Sequence, residues 1–391
     1  MRASNTNVFV KREHRKYACS AERRKGRMKS KVLFLPGSRF MYLLLISIAM
    51  SVGCNRRDGV GETITVESCD FKEWDSVFSF TAPIYLEDSA NSHLGYSRQC
   101  YEDGDRIVFV DYNSKRILCF SSEGKYLYDI GRLGHSGEEY TNIRDVVIDR
   151  ERHHVVVMDY DGFVRYDINS GQFVEREKTS SETFLDYWNF VPIPQGGYLA
   201  HNVRGDNSVE ELCGKSVRAL RKSTGQQYGS NLFYTFGDRV MVTGDYGDLD
   251  IEEYKRGGLE MRYRLNICGK NLPTDKKPQD YDEMKELSNS QYFTCILSAY
   301  ETDEWLYCLL KGPANDSYHL LYNKHSGEII SGPKNQDDGL TIVGSDRHSF
   351  KALLYPDMND NRQKVRDIAG RVEMDCHNPV FLTLNVNPQH N

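Results

Sequence analysis

From Val77 onward, hydrophobic and polar residues alternate with a period of two, and helical periodicity is nearly absent. The runs are short and end in turn-forming residues, so the pattern predicts many short strands. Two stretches repeat each other. Arg106 to Leu127 reads RIVFVDYNSKRILCFSSEGKYL, and His154 to Val174 reads HVVVMDYDGFVRYDINSGQFV. Asp111 and Asp159 are 48 residues apart, and Gly124 and Gly171 are 47 apart. Strand repeats at this period are the mark of propeller blades, in which each repeat is one small sheet.

Blade-like units follow one another along the chain. The first covers Gln99 to Gly131. The second, Ile143 to Glu177, has its strands divided by Asp149-Arg150, Asp161-Gly162 and Asn169-Ser170-Gly171. Looser copies cover Leu185 to Tyr228, Asn231 to Ile267, Gln291 to Ile330 and Leu340 to Val386. A charged linker, Gly269 to Leu287, with a short helix at its end, separates the fourth from the fifth. A polar helical insert, Asn359 to Ala369, lies within the sixth. The expected fold is all-β: a six-bladed β-propeller of four-stranded antiparallel blades. Val77 to Glu87 is expected to complete the sheet begun by Pro379 to Val386, because a ring closed by both chain ends leaves no exposed edge.

The pattern changes ahead of Val77. Phe40 to Met50, FMYLLLISIAM, is the one strongly apolar run. It is too short to span a bilayer, which needs about 20 residues, but suits the core of an export signal, with Lys29, Lys31 and Arg39 as its positive flank. Residues 1–27 fit no signal and read as an over-extended start, with the signal at 28–53. Residues 54–76 read as a lipidated cysteine and flexible tether, and 77–391 as the propeller. Beyond Cys54 the chain carries 38 basic and 54 acidic residues, a net charge of −16. Such a domain repels phosphate backbones, which disfavours nucleic acid, and no nucleic-acid partner is expected.

Two resemblances add to this reading. Ser51-Val52-Gly53-Cys54 resembles a bacterial lipoprotein cleavage site, although Ser51 stands where such sites usually carry Leu. The resemblance implies lipidation of Cys54. Because Asn55 and not Asp follows, it also implies an outer-membrane anchor, and Arg56-Arg57 in place of acids implies a periplasm-facing domain. An ordinary secreted protein is the alternative. The loop Ile130 to Tyr140, IGRLGHSGEEY, resembles the Gly-rich signature between blades of six-bladed β-propeller lipoproteins related to NHL repeats, common in gut Gram-negative anaerobes. Gly131, Arg132, Gly134, Glu139 and Tyr140 match; Gly137 stands in place of Pro and Glu138 in place of Gly. That resemblance implies a fold and an envelope location, not a reaction.

The chain has no GxSxG, HExxH or P-loop, and no GxGxxG opening a helix. Asp111, Asp159 and Asp245 end equivalent strands. They either ring the channel as Ca²⁺ ligands or cap their own turns, which propeller geometry demands anyway. Tyr112 and Tyr160 follow two of these acids and belong near a common rim. His135 lies in the Gly-rich loop. Among the tryptophans, Trp188 is the best exposed stacking platform. Cys295 and Cys308 could bridge a hairpin, but the simpler reading is buried free thiols. The leading function is a binding or scaffold module for a glycan, peptide or partner protein. The alternative is a metal-assisted lyase or hydrolase at the central channel, an analogy drawn from fold alone.

Overall fold

The computed structural model describes residues 61–179, 182–224, 231–334, 340–356 and 377–387. Cys54, the apolar run Phe40 to Met50 and the insert Asn359 to Ala369 lie outside them. Among the described residues, no helix is long and apolar enough to cross a membrane.

Six blades of four antiparallel strands follow one another around a ring, the arrangement of a six-bladed β-propeller, and one of these sheets gains a fifth strand. The first blade contains β3 (Ser97–Asp103), β4 (Arg106–Asp111), β5 (Arg116–Ser121) and β6 (Tyr126–Asp129). The second contains β7 (Asp145–Asp149), β8 (His154–Met158), β9 (Gly162–Asp167) and β10 (Phe173–Lys178). The innermost strands of the other four are β11 (Tyr187–Pro192), β15 (Phe233–Phe236), β19 (Cys295–Glu301) and β23 (Leu340–Ser345). From β7 to β23 successive innermost strands contact one another, β23 returns to β3, and Gln99 and Tyr101 of β3 hydrogen-bond across to β7.

The ring closes as the hydrophobic pattern requires. β25 (Val380–Val386) lies between β24 (Phe350–Leu354) and β2 (Phe78–Tyr85), with Thr383 opposite both Lys351 and Thr81. The last blade therefore takes three strands from the end of the chain and its outermost strand from the beginning.

Middle strands depart from strict alternation. Every residue of β8 after His154 is buried, as are four of the six residues of β5. The reason is architectural. Each blade packs both faces against neighbours, so the core is a series of layers between blades. Val108, Val110, Ile117 and Cys119 of the first blade meet Val146, Ile148, Val155 and Val157 of the second in one such layer. Strands buried on both faces read as continuous Val/Ile runs.

The segment read as a tether differs from expectation from Gly61 onward. β1 (Glu62–Val66) adds in parallel to β18 (Gly258–Ile267), giving the fourth blade a fifth strand. Ile64 and Val66 are buried there. Beyond it, the Phe71 amide donates to Ser331 O at 3.1 Å. The short helix α1 (Trp74–Val77) buries Trp74, whose indole N–H reaches Pro333 O at 3.2 Å and whose ring packs at a tilt against His319. The polar composition concealed an alternating pair of apolar residues that finds its partner only in the folded ring. Residues 62–77 thus strap the outer edges of the fourth and fifth blades.

The linker ends in helix α2 (Tyr281–Ser288) as expected. Asp280 caps it by accepting from the Glu283 amide at 2.9 Å. Cys295 and Cys308 are both buried but are not opposed: Cys308 pairs with Ala299, and Cys295 with Lys311.

Candidate functional site

The antiparallel course of each blade places two kinds of loop on opposite faces. Residues that lead into an innermost strand, together with the turn after each second strand, lie on one face, called upper here. The turns after innermost strands lie on the lower face.

The repeated aspartates are at the upper level, and the structure shows how each is used. Asp159 is fully buried. Its carboxylate accepts from the amides of Tyr160 (2.7 Å), Thr141 (2.9 Å) and Asn142 (3.1 Å), and from Thr141 Oγ1 (2.6 Å). Asp111 accepts from the amides of Gly95, Asn113 and Ser114. Asp245 lies 2.6 Å from the Arg221 guanidinium, in charge contact without hydrogen-bond alignment, and burial raises its pKa. Asp111 and Asp159 therefore bind their own turns and the loops leading into their blades, while Asp245 is paired with Arg221 of the third blade. Among the described residues, no group of three His, Cys, Asp or Glu is placed to share a cation. The third blade uses Asn202 in the same way, accepting from the amides of Arg204 and Gly205. Sequence comparison missed it because the residue type changes while the turn does not.

The Gly-rich loop is also structural. Gly131 has φ +62°, and a Cβ there would meet the Tyr166 ring at 2.4 Å. Glu139 accepts from the Ser136 amide and pairs with Arg132, which lowers its pKa. The Tyr140 hydroxyl donates to Lys115 O and the Tyr166 hydroxyl to Glu138 O, stitching the first blade to the second. His135 is exposed at the tip of this loop, outside the central mouth.

The mouth itself is a cavity of about 1090 Å³ on the upper face, lined from all six blades. Tyr112, Tyr160 and Trp188 meet here. Trp188 is 46% exposed, and Tyr160 is 52% exposed. Trp74 and Trp305 are core residues. Tyr96, 38% exposed, adds a fourth ring, with the Arg98 guanidinium 5.7 Å from its centroid. Arg144 is held by Phe184 O (3.3 Å) and Leu185 O (2.6 Å). Lys311, Lys334, Asn142, Asn189, Asn231 and Ser298 are among the polar residues of the lining. Asn189 is more than nine-tenths buried, and its Oδ1 has no hydrogen-bond partner. Tyr96, Arg98 and Arg144 were not singled out by sequence. Their signal was positional: each lies just before, or at the start of, a blade's innermost strand.

Beneath the mouth, Gln99 donates to Asp145 at 2.7 Å, and the Phe190 amide donates to the same carboxylate at 2.9 Å. Burial pushes the Asp145 pKa up to about 6. This network joins the first three blades at the axis. The lower face carries a second cavity, of about 1070 Å³. Its charges are largely paired with each other, as Arg165 with Glu177 and Arg152 with Asp149.

A closed propeller with an aromatic mouth is the class of protein these observations define. Residues 75–365 match the family described as a domain of unknown function, DUF4934, and the chain belongs to that family. Among solved structures, the chain is similar to a Bacteroides fragilis protein described as exported, at 14% identity and a TM-score of 0.67, covering 83% of this chain and 99% of that one. It is also similar to a DUF4221-family member from Bacteroides vulgatus, at 10% identity and a TM-score of 0.50, covering 80% and 99%. At these identities the likeness concerns the fold. No curated protein matches the chain.

Proposed function

We propose that this protein is a lipid-anchored binding module of the cell envelope, held at the outer membrane through Cys54 and facing the periplasm. Its ligand, a glycan, a peptide or a partner protein, sits in the upper mouth. The observation that carries this reading is the group of exposed rings, Tyr96, Tyr160 and Trp188, around one cavity. A group of exposed rings gathered around one cavity, unlike rings scattered singly, marks a ligand or partner site. The propeller supplies a rigid frame, so little ordering entropy opposes binding. The export signal and the Cys54 motif support the location. No observation favours the lyase or hydrolase alternative, because Asp111 and Asp159, its proposed acids, already satisfy backbone amides.

The test is a thermal-shift screen of the envelope-purified protein against oligosaccharides and peptides. A ligand at 100 times its dissociation constant adds about 2.7 kcal/mol of stability. Trp188→Ala with Tyr160→Ala is expected to abolish the shift without lowering the unliganded Tm. Equal shifts in the wild type and the double variant would reject the mouth as the seat. For the anchor, Cys54→Ala is expected to move the protein from the membrane to the soluble fraction.

A further inference from the structure

We infer that the ligand of the upper mouth is an acidic saccharide, a chain of pyranose rings bearing carboxylates. This rests on the binding reading above and sharpens it. The domain is strongly acidic overall, with a net charge of −16 beyond Cys54. Yet among the described residues lining the mouth there is no Asp or Glu, while Arg98, Arg144 and Lys311 all contribute to it. None of the three forms an ion pair with a described carboxylate. Arg98 lies over Tyr96, Arg144 is bound by two backbone carbonyls, and Lys311 donates to Asn315 O. A cationic cleft in an acidic molecule focuses the field on an anion entering it. The remaining lining matches a sugar. Three exposed rings offer flat apolar faces. The amides of Asn142 and Asn189, with the Ser298 hydroxyl, offer neutral hydrogen-bonding groups suited to sugar hydroxyls. An acidic peptide would satisfy the cations but would leave these platforms and amides with less to do.

The test is calorimetric titration of the envelope-purified protein with tetragalacturonate, with neutral galactotetraose and with tetraglutamate, at low and high salt. Tetragalacturonate is expected to bind at least about tenfold more tightly than galactotetraose, with the margin shrinking as salt rises. Arg98→Gln with Lys311→Gln should narrow that margin by weakening tetragalacturonate more than galactotetraose. Trp188→Ala should weaken both sugars. Equal binding of both sugars would overturn the acidic assignment alone. Binding of tetraglutamate in preference to either sugar would overturn it in favour of a peptide. No binding of any probe would overturn both this inference and the mouth as a seat.

A separate observation concerns the strap, and here the geometry points to a cystine. Cys69 Sγ lies 3.2 Å from Cys268 Sγ, across 199 residues of chain. Both are half-buried. Cys268 has φ +50°, a conformation that Gly or Asn adopts more readily, and its amide donates to Val66 O at 2.7 Å, so backbone bonding fixes its place beside the strap. Oxidation removes two protons and two electrons from the two thiols and forms the S–S bond. The electrons pass to the disulfide of an exported thiol–disulfide oxidoreductase, which leaves as a dithiol. The test is alkylation of the protein in intact cells, followed by non-reducing peptide mapping. A linked peptide pair containing Cys69 and Cys268 is expected, together with a reductant-dependent fall in Tm that Cys69→Ser removes. Complete alkylation of both cysteines in unreduced protein would overturn it.

Discussion

Asp159 and His201 show what burial asks of a single polar side chain. Asp159 has no exposure and gathers three backbone amides and a hydroxyl. Asp159→Ala should leave those donors unpaired and cost roughly 2–4 kcal/mol in chemical denaturation. A cation ligand would instead show a metal-dependent loss. His201 is fully buried, neither ring nitrogen has a partner, and burial pushes its pKa down to about 3. The unfolded chain takes up a proton near pH 6.5 and the folded chain does not, so this residue erodes stability as pH falls from about 6.5 towards 3. Asp145 acts in the opposite sense. Its folded pKa of about 6 lies above the unfolded value, so its contribution is fully present below about pH 4 and is lost as pH rises to 6. Each unit of separation is worth about 1.4 kcal/mol. Denaturation midpoints followed against pH should lose the acid-side slope in His201→Leu and the opposing slope in Asp145→Asn.

At the scale of elements, the strap is held by close packing against the fifth blade. A Cβ at Gly332 would lie 1.9 Å from Phe71 O, a clash with backbone that cannot be relieved without moving the strap. The Tyr322 hydroxyl also donates to Glu62. Gly332→Ala is therefore expected to cost several kcal/mol, within the range of overpacking and strain, and to expose residues 62–77 to limited proteolysis while the blades stay folded. The Gly-rich loop was legible in sequence because its glycines have fixed backbone duties. The strap was not legible, because a parallel strand pairing across about 200 residues leaves no local signal. The same holds for the mouth. Trp188 and the two tyrosines after the aspartates were visible as candidates, whereas Tyr96, Arg98 and Arg144 acquire meaning only beside them.

The whole molecule is a ring whose closure depends on one strand. β25 lies between β24 and β2, so removing it frees two edges at once. A chain ending before Val380 is expected to aggregate, because unpaired edges recruit other chains. Size-exclusion chromatography after refolding checks this, with monomeric truncated protein as the contrary result.

By itself, the sequence determined the all-β class, the six repeats, the closing pair of terminal strands and the acidic balance. Each of these follows from local patterning: strand period, turn residues, charge. Only the tertiary structure decided that Asp111 and Asp159 serve backbone amides while Asp245 pairs with Arg221, that the polar segment after Gly61 is a strap, and that one mouth gathers rings and cations with no Asp or Glu among its described lining residues. Those properties belong to residues brought together from six blades, and no stretch of chain carries them alone.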